Sequence, residues 1–172
     1  MIVKKSYFEL KKSYSYLNYS QLLSTVEWEI RRRDVLKRDR YTCQFCGNMA
    51  SEKIKKMNQG YSSLVDYYPI VYTSIQYYIH VHHKCYVLNI LPWEYNEDDL
   101  IALCHICHDN YHQTNEVIVF LNQDKKIRIN NLTPCNRCNG TGYLSEFLHI
   151  DSGICYKCQG SKYLEIANHI IK

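Results

Sequence analysis

The sequence has few chain-breaking residues and no long apolar run. Only six of its 172 residues are glycine and three are proline, which excludes collagen-like and glycine- or proline-rich low-complexity architectures. No stretch of about 18 apolar residues is present, so we expect no transmembrane helix and no membrane partner. The first residues lack the apolar core of a signal peptide. We therefore expect a soluble, cytoplasmic, folded protein.

The sequence also lacks a large excess of charge, since its formal net charge is +4. The basic residues are nevertheless concentrated, because six of the 21 lie within ten positions. A patch of this kind attracts a polyanion by releasing its counterions. The alternative is a solvated helix face in which Asp34 and Asp39 are the ion-pair partners. The candidate nucleic-acid contacts are Arg31, Arg32, Arg33, Lys37, Arg38 and Arg40.

Cysteine is the most informative residue type. Eight of the nine cysteines form four Cys-x-x-Cys pairs, and Cys85 is left over. Two residues between cysteines suit the bite of a tetrahedral zinc ion, and two such pairs complete a closed structural site. Because disulfides do not persist in a reducing compartment, we interpret the pairs as zinc ligands. The pairs are Cys43/Cys46, Cys104/Cys107, Cys135/Cys138 and Cys155/Cys158.

The chain divides into an N-terminal segment (1–19), a central domain (20–116) and a C-terminal hairpin with a zinc module (117–172). Apolar spacing predicts a helix over 21–38 with Leu22, Val26, Ile30 and Leu36 on its inner side. A turn carrying the first cysteine pair follows this helix. The stretch 47–68 predicts only a helix or loop with lysines at 53, 55 and 56.

Alternating apolar residues from Val71 onward predict a strand that ends in two adjacent histidines, His82 and His83. A loop and the second cysteine pair come next. The following residues are expected to form a helix in which His108 and His112 lie four apart on one face. The strand, loop, cysteine turn and helix therefore form one consecutive set.

The last third of the chain contains an approximate repeat. Residues 117–121 and 127–129 predict a hairpin, and beyond it a Cys-x-x-Cys-x-Gly turn occurs twice, twenty residues apart. This spacing is consistent with two cysteine turns facing each other across one ion. We therefore expect a second structural zinc on Cys135, Cys138, Cys155 and Cys158.

The two adjacent histidines suggest the chemistry. Neighbouring residues at a strand end point to opposite sides, so one imidazole can bind a metal while the other contacts a water. Imidazole, with a pKa near ~6.5, is well suited to accept a proton at neutral pH. A metal held by two or three histidines keeps open positions where phosphate oxygens can bind. This arrangement favours phosphodiester hydrolysis.

The run from Trp28 to His112 resembles the HNH (ββα-metal) endonuclease family. The matching pieces are Trp28, the segment Arg38-Asp39-Arg40-Tyr41-Thr42-Cys43-Gln44-Phe45-Cys46-Gly47, then His82-His83-Lys84, and then Asp99 to His108 with His112. The resemblance implies His83 as general base and a divalent metal, Mg²⁺, Mn²⁺ or Zn²⁺, on His82, His108 and His112. It also implies a structural zinc on Cys43, Cys46, Cys104 and Cys107, and DNA contacts from Lys84 and the basic segment.

The sequence departs from the family pattern at its middle position. Asp99 stands where the family usually has Asn, which is understood to brace the loop carrying the base. A carboxylate can accept such a hydrogen bond but cannot donate an amide N–H. Asp99 is kept as a catalytic candidate, and its effect is expected on the rate more than on the fold.

The cysteine repeat at 135–163 resembles the cysteine-rich zinc domain of DnaJ-type co-chaperones. The fold expected for the whole chain is α+β, with a small zinc-stabilised ββα-metal domain, an N-terminal helix and a C-terminal β-rich zinc-knuckle module. The expected function is cleavage of double-stranded DNA, with a homodimer or two binding events needed to cut both strands. The alternatives are a catalytically inactive zinc-dependent nucleic-acid-binding protein and a chaperone-like protein-interaction module.

Overall fold

The computed structural model describes residues 4–50, 77–147 and 153–168. Helices and short strands are mixed within these ranges, so the α+β class is confirmed. Most of the stretch 47–68, with its lysines at 53, 55 and 56, and the beginning of the predicted strand at 71–76 lie outside the described residues. The elements are α1 Tyr7–Ser13, α2 Tyr19–Leu23, α3 Val26–Arg38, β1 Ile79–His83, β2 Tyr86–Val87, β3 Leu100–Cys104, α4 His105–Thr114, β4 Val119–Phe120 and α5 Leu164–Ala167. None of the helices in these ranges has the length and apolar character of a membrane span.

The single helix predicted over 21–38 is wrong, because two helices occupy this stretch. The hydroxyl of Thr25 accepts a hydrogen bond from the Trp28 amide and caps α3. Because the chain leaves the helical conformation between α2 and α3, residues spaced by helical turns from Leu22 do not lie on the buried face of α3. Val26 and Ile30, which were expected inside, are 36% and 51% exposed.

β1 and β3 form a two-stranded antiparallel sheet in which His82 lies opposite Ile101 and His83 opposite Leu100. β3 leads directly into α4, because Cys104 is the N-cap of that helix and its sulfur accepts a hydrogen bond from the Cys107 amide. α4 packs against β1. The side of β1 that carries His82 is therefore covered by a helix and not by solvent.

Two apolar clusters hold α3 against the sheet. One contains Leu36, Ile79 and Leu103, and the other contains Trp28 and Leu100 among its members. Each fully buried side chain of this size contributes about 1.5–3 kcal/mol. The sheet thus has a fixed position between α3 and α4.

β4 pairs in parallel with β2, with Tyr86 opposite Val119. The predicted hairpin is present in reduced form, since Phe120 makes a single antiparallel bridge to Arg128. Ile166 of α5 belongs to the buried cluster that also contains Tyr19, Tyr86 and Val119. Residues after 117 therefore pack on the elements that precede them.

The C-terminal module was expected to be β-rich, and the described residues do not bear this out. Between 133 and 168 the described pairing consists of two single bridges, Pro134 with Tyr163 and Tyr143 with Ile154. The backbone is instead bent by left-handed residues directly after each cysteine turn. A chain that curls around a point cannot extend a strand ladder. These left-handed residues are Asn139, Gly140, Gln159 and Gly160.

Candidate metal sites and the histidine cavity

The first cysteine cluster joins the turn after α3 to the start of α4. Its four sulfurs, from Cys43, Cys46, Cys104 and Cys107, lie within 4.8 Å of one another. The sulfurs of Cys46 and Cys104 are 3.7 Å apart. A tetrahedral ion with Zn–S bonds of ~2.3 Å separates two sulfurs by about 3.8 Å, whereas a disulfide requires about 2.05 Å. The cluster is therefore compatible with zinc.

The backbone around this cluster favours the thiolate of Cys43, whereas burial raises the pKa of Cys104 and Cys107. Burial raises the pKa of Cys43, but hydrogen bonds from the backbone N–H groups of Cys104, Cys46 and Phe45 outweigh it and lower the pKa to about 7. The Gly47 amide donates to the Cys43 carbonyl at 2.9 Å, which closes the turn. A thiol that ionises near neutral pH is ready to bind a metal.

The second cluster contains the remaining two pairs, and all four of its cysteines are buried. Cys138 and Cys158 have sulfurs 3.7 Å apart, again the tetrahedral spacing. The two turns press closely on each other, since a Cβ on Gly142 would lie 2.9 Å from the Gly160 carbonyl oxygen. The turns therefore face each other as the repeat predicted. The two turns, residues 135–143 and 154–163, are together called the knuckle pair below.

A third cluster consists of histidines. His82 comes from β1, and His108 and His112 stand one turn apart on α4. Their candidate ligand atoms lie within 4.8 Å of one another, and the Nε2 atoms of His108 and His112 are 3.1 Å apart. Two imidazoles on a tetrahedral ion with ~2.05 Å bonds have nitrogens about 3.3 Å apart. The three residues predicted as metal ligands are thus brought together with a suitable spacing.

The electrostatics of this histidine cluster fit a cation. Its three side chains are at most 9% exposed, and Nε2 of His82 is buried without a hydrogen-bond partner in the described part of the chain. Burial lowers the pKa of His82 and His108 well below the usual value, and burial followed by the charge of Lys162 lowers the pKa of His112 to about 4. The imidazoles are therefore neutral at pH 7, with lone pairs free to bind a metal. Three ligands leave coordination positions open, unlike four cysteines.

A cavity of about 250 Å³ opens above the histidine cluster. Both His82 and His83 line it, so the adjacent histidines reach one common space. One wall comes from α2 and α3, including Arg32, and the opposite wall comes from the knuckle pair through Ile154, Tyr156 and Gln159. No sequence pattern predicted this second wall.

His83 is enclosed by aromatic rings and makes two hydrogen bonds. Its Nε2 lies 3.2 Å from the carbonyl oxygen of Pro92. Because a carbonyl only accepts, Nε2 carries the hydrogen of the neutral ring, and Nδ1 keeps the lone pair. Nδ1 accepts from the Tyr19 hydroxyl at 3.2 Å. Trp28 stacks on the ring at 5.1 Å, and burial lowers the pKa of His83 to about 4.

Asp99 lies away from this cavity. Its carboxylate is buried and forms an ion pair with Lys125, and the Cys85 sulfur is 3.9 Å away. Asp99 is not among the residues that line the cavity, and the bracing contact to His83 comes from Pro92. Lys84 is exposed, and its backbone amide donates to the Asp99 carbonyl at 2.8 Å.

Half of the six basic residues predicted to contact nucleic acid hold α3 in place by hydrogen bonds within the protein. Three guanidinium groups donate to backbone carbonyls and fasten α3 to its neighbours: Arg31 to Tyr95, Arg32 to Ile79 and Arg38 to Leu100. The remaining members of the predicted patch are half-buried or exposed: Arg33, Lys37 and Arg40. Arg32 alone among these six lines the cavity.

Two further residues, His80 and Gly160, contact the histidine cluster. His80 stacks on His108 with an interplanar angle of 1° and a centroid distance of 5.2 Å. Gly160 touches His112 so closely that a Cβ would lie 2.7–3.0 Å from ring atoms. His105, by contrast, packs against Tyr77 and Tyr78. The alternation of β1 placed His80 near the site, but nothing local in the sequence joins Gly160 to His112.

Comparison with protein-family models, curated proteins and solved structures gives no match to this chain.

Proposed function

We propose that the chain is a metal-dependent endonuclease of the HNH (ββα-metal) type that hydrolyses DNA phosphodiester bonds. The observation that carries the proposal is the histidine cluster on a strand–strand–helix unit, with His83 lining the same cavity. Neutral, buried imidazoles with a free coordination side suit a hydrolytic metal. A closed four-cysteine site does not offer such positions.

His82, His108 and His112 would hold the ion. A divalent cation there, Mg²⁺, Mn²⁺ or Zn²⁺, supplies positive charge that stabilises the negative charge developing on phosphate oxygens. The Pro92 carbonyl keeps the hydrogen of His83 on Nε2, so the ring presents Nδ1 as the proton-accepting nitrogen. An attacking water has to displace the Tyr19 hydroxyl from Nδ1. We propose that Arg32, which lines the cavity, contacts a phosphate through the guanidinium N–H groups that do not donate to the Ile79 carbonyl.

The direct test is cleavage of supercoiled plasmid by the purified protein with magnesium, manganese or chelator. His83→Ala is expected to lower the nicking rate by about 10²–10⁴-fold, the usual contribution of a general base. His105→Ala removes a histidine outside the cavity and should cut like wild type. Zinc analysis should give the same two ions per chain for all three proteins. Equal rates for His83→Ala and wild type would disprove the assignment of the base.

A second candidate is a zinc protein that binds nucleic acid without cutting it. The observation in its favour is that both ring nitrogens of His83 are engaged and the ring is 6% exposed. This candidate predicts that wild type binds DNA but produces no nicked plasmid with any of the metals. Metal-dependent nicking by wild type would reject it.

A further inference from the structure

The knuckle pair is part of the cavity and not a separate appendage. Ile154, Tyr156 and Gln159 line the same space as the histidine cluster. Gly160 lies against the ring of His112. Whatever enters the cavity toward the histidines therefore also meets the knuckle pair.

Specific contacts fix this wall in place. The Lys162 ammonium donates to the carbonyl of Asn115, the C-cap residue of α4, at 2.9 Å. Ile166, just beyond the second turn, is buried with Tyr19 of α2. The wall is thus anchored both to the helix that carries two of the histidines and to the opposite wall.

The tips of the two turns carry aromatic and cationic side chains. Tyr156 is 60% exposed although it borders the cavity. The Arg137 guanidinium lies over the Tyr156 ring, 5.3 Å from its centroid, and over the Phe147 ring, 5.5 Å from its centroid, so it covers one face of Tyr156. The Lys157 ammonium donates to the Asn136 side chain at 2.8 Å, which keeps its charge at the same tip. An exposed ring flanked by cations is the combination that binds single-stranded nucleic acid, through base stacking and phosphate contacts.

We propose that the tips of the knuckle pair bind an unpaired stretch of DNA next to the cavity, with a base stacked on the face of Tyr156 that Arg137 does not cover and phosphates against Arg137 and Lys157. The inference takes DNA as the substrate from the proposed function, but it concerns binding and requires no cleavage. A duplex base is already stacked on its neighbours, so the preference is for single-stranded or locally opened DNA. The knuckle pair would then select the strand that reaches the histidines.

The test is fluorescence anisotropy of a short labelled single-stranded DNA with the full zinc-loaded chain, without added magnesium or manganese. Tyr156→Ala is expected to raise Kd about tenfold, as for one lost base–aromatic stack. Tyr156→Phe keeps the ring and should bind like wild type. Phe45→Ala is the matched control, because Phe45 is a 55% exposed ring at the tip of the first cluster and does not line the cavity.

The cations are tested by salt dependence. Arg137→Gln and Lys157→Gln should each reduce the slope of log Kd against log salt by about 0.7, the value for one phosphate contact on single-stranded DNA. Zinc content is measured for every variant, because these cations could instead compensate the charge of the thiolates. Loss of zinc in Arg137→Gln with an unchanged salt slope in Lys157→Gln would overturn the proposal.

Other results would overturn it as well. These are wild-type affinity in Tyr156→Ala, equal weakening by Phe45→Ala, or failure of Tyr156→Phe to restore binding. Binding of an unfolded polypeptide but not of DNA would assign the surface to protein recognition. If DNA binds as expected while no plasmid is nicked, the binding proposal stands and the nuclease proposal fails.

Discussion

The cysteine clusters and the histidine cluster have similar distances between ligand atoms but differ in the number of ligands. Each cysteine cluster brings two turn-forming pairs together, with sulfurs 3.7 Å apart, and completes a tetrahedron from the chain alone. The histidine cluster takes one residue from β1 and two from α4, and the Nε2 atoms of His108 and His112 are 3.1 Å apart. Within the described residues this cluster has three candidate ligands. The difference teaches that a closed set of four ligands suits a structural ion, whereas a set of three leaves a coordination position open.

The comparison predicts that the largest effect comes from the cysteines. Cys104→Ser removes a candidate zinc ligand that is also the N-cap of α4. Binding of a structural zinc contributes on the order of 10 kcal/mol, as much as the whole stability of an ordinary domain. We expect one zinc per chain and loss of the β1, β3 and α4 structure, measured by metal analysis and circular dichroism.

The matched control for this change is Cys85→Ser. Cys85 is buried but belongs to neither cluster, so this variant should keep two zinc ions and lose only about 1 kcal/mol. Equal loss of zinc from both variants would break the distinction between clustered and unclustered cysteines.

A smaller effect is expected from pH, through the histidine cluster. The pKa of His112 is about 4 in the folded chain and near the ordinary 6.5 when unfolded. The unfolded chain therefore binds more protons between these values. With no metal on the histidines, stability should be constant above pH 6.5 and fall by about 3 kcal/mol as the pH drops to about 4.

Urea unfolding of wild type and His112→Gln over this pH range measures the effect. Both proteins carry the same cysteine clusters, so acid release of zinc cancels in their difference. The wild type should lose more stability than the variant between pH 6.5 and 4. Parallel profiles would contradict the assignment of a buried, neutral His112.

The smallest expected effect tests the contact between the second cysteine cluster and the histidine cluster, which Gly160 makes with His112. Gly160→Ala places a methyl group within 2.7–3.0 Å of the His112 ring, so the ring must move. We expect about tenfold weaker binding of Co²⁺ or Mn²⁺ at the histidine cluster, measured by titration, with two zinc ions retained.

Gly47→Ala is the control for backbone strain. Gly47 has a φ of +74°, close to the +80° of Gly160, but a Cβ there meets nothing within 4 Å. Both variants should lose about 1–2 kcal/mol from the left-handed conformation. Only Gly160→Ala should weaken the binding of Co²⁺ or Mn²⁺ at the histidine cluster. Equal metal affinities in the two variants would contradict an effect of Gly160 on the position of His112.

Local sequence patterns predicted the features that depend on residues close together in the chain. The Cys-x-x-Cys pairs, the alternation of β1 and the four-residue spacing of His108 and His112 each depend on nearby residues. The break in the N-terminal helix was also readable, since Thr25 precedes Glu27 and Glu29 in the way typical of an N-cap. Apolar spacing alone does not reveal this break, because Leu22, Val26 and Ile30 keep the helical period across it.

The contacts that finish the cavity could not be predicted from such patterns. Tyr19 meets His83 across 64 positions, and Gly160 meets His112 across 48, with no periodicity to connect them. The pairing of Asp99 with Lys125 likewise depends on how the segment after α4 returns to β2. Contacts of this kind follow from the packing of whole elements, which one sequence does not reveal.

The contact between Gly160 and His112 also sets an order of assembly during synthesis. Gly160 leaves the ribosome 48 residues after His112, which is roughly 2–10 s later at about 5–20 residues per second. β1, β3 and α4 can gather around the first cysteine cluster in that interval. A nascent chain therefore has its three histidines before it has the wall that covers them, and the cavity is closed only when the second cysteine cluster forms.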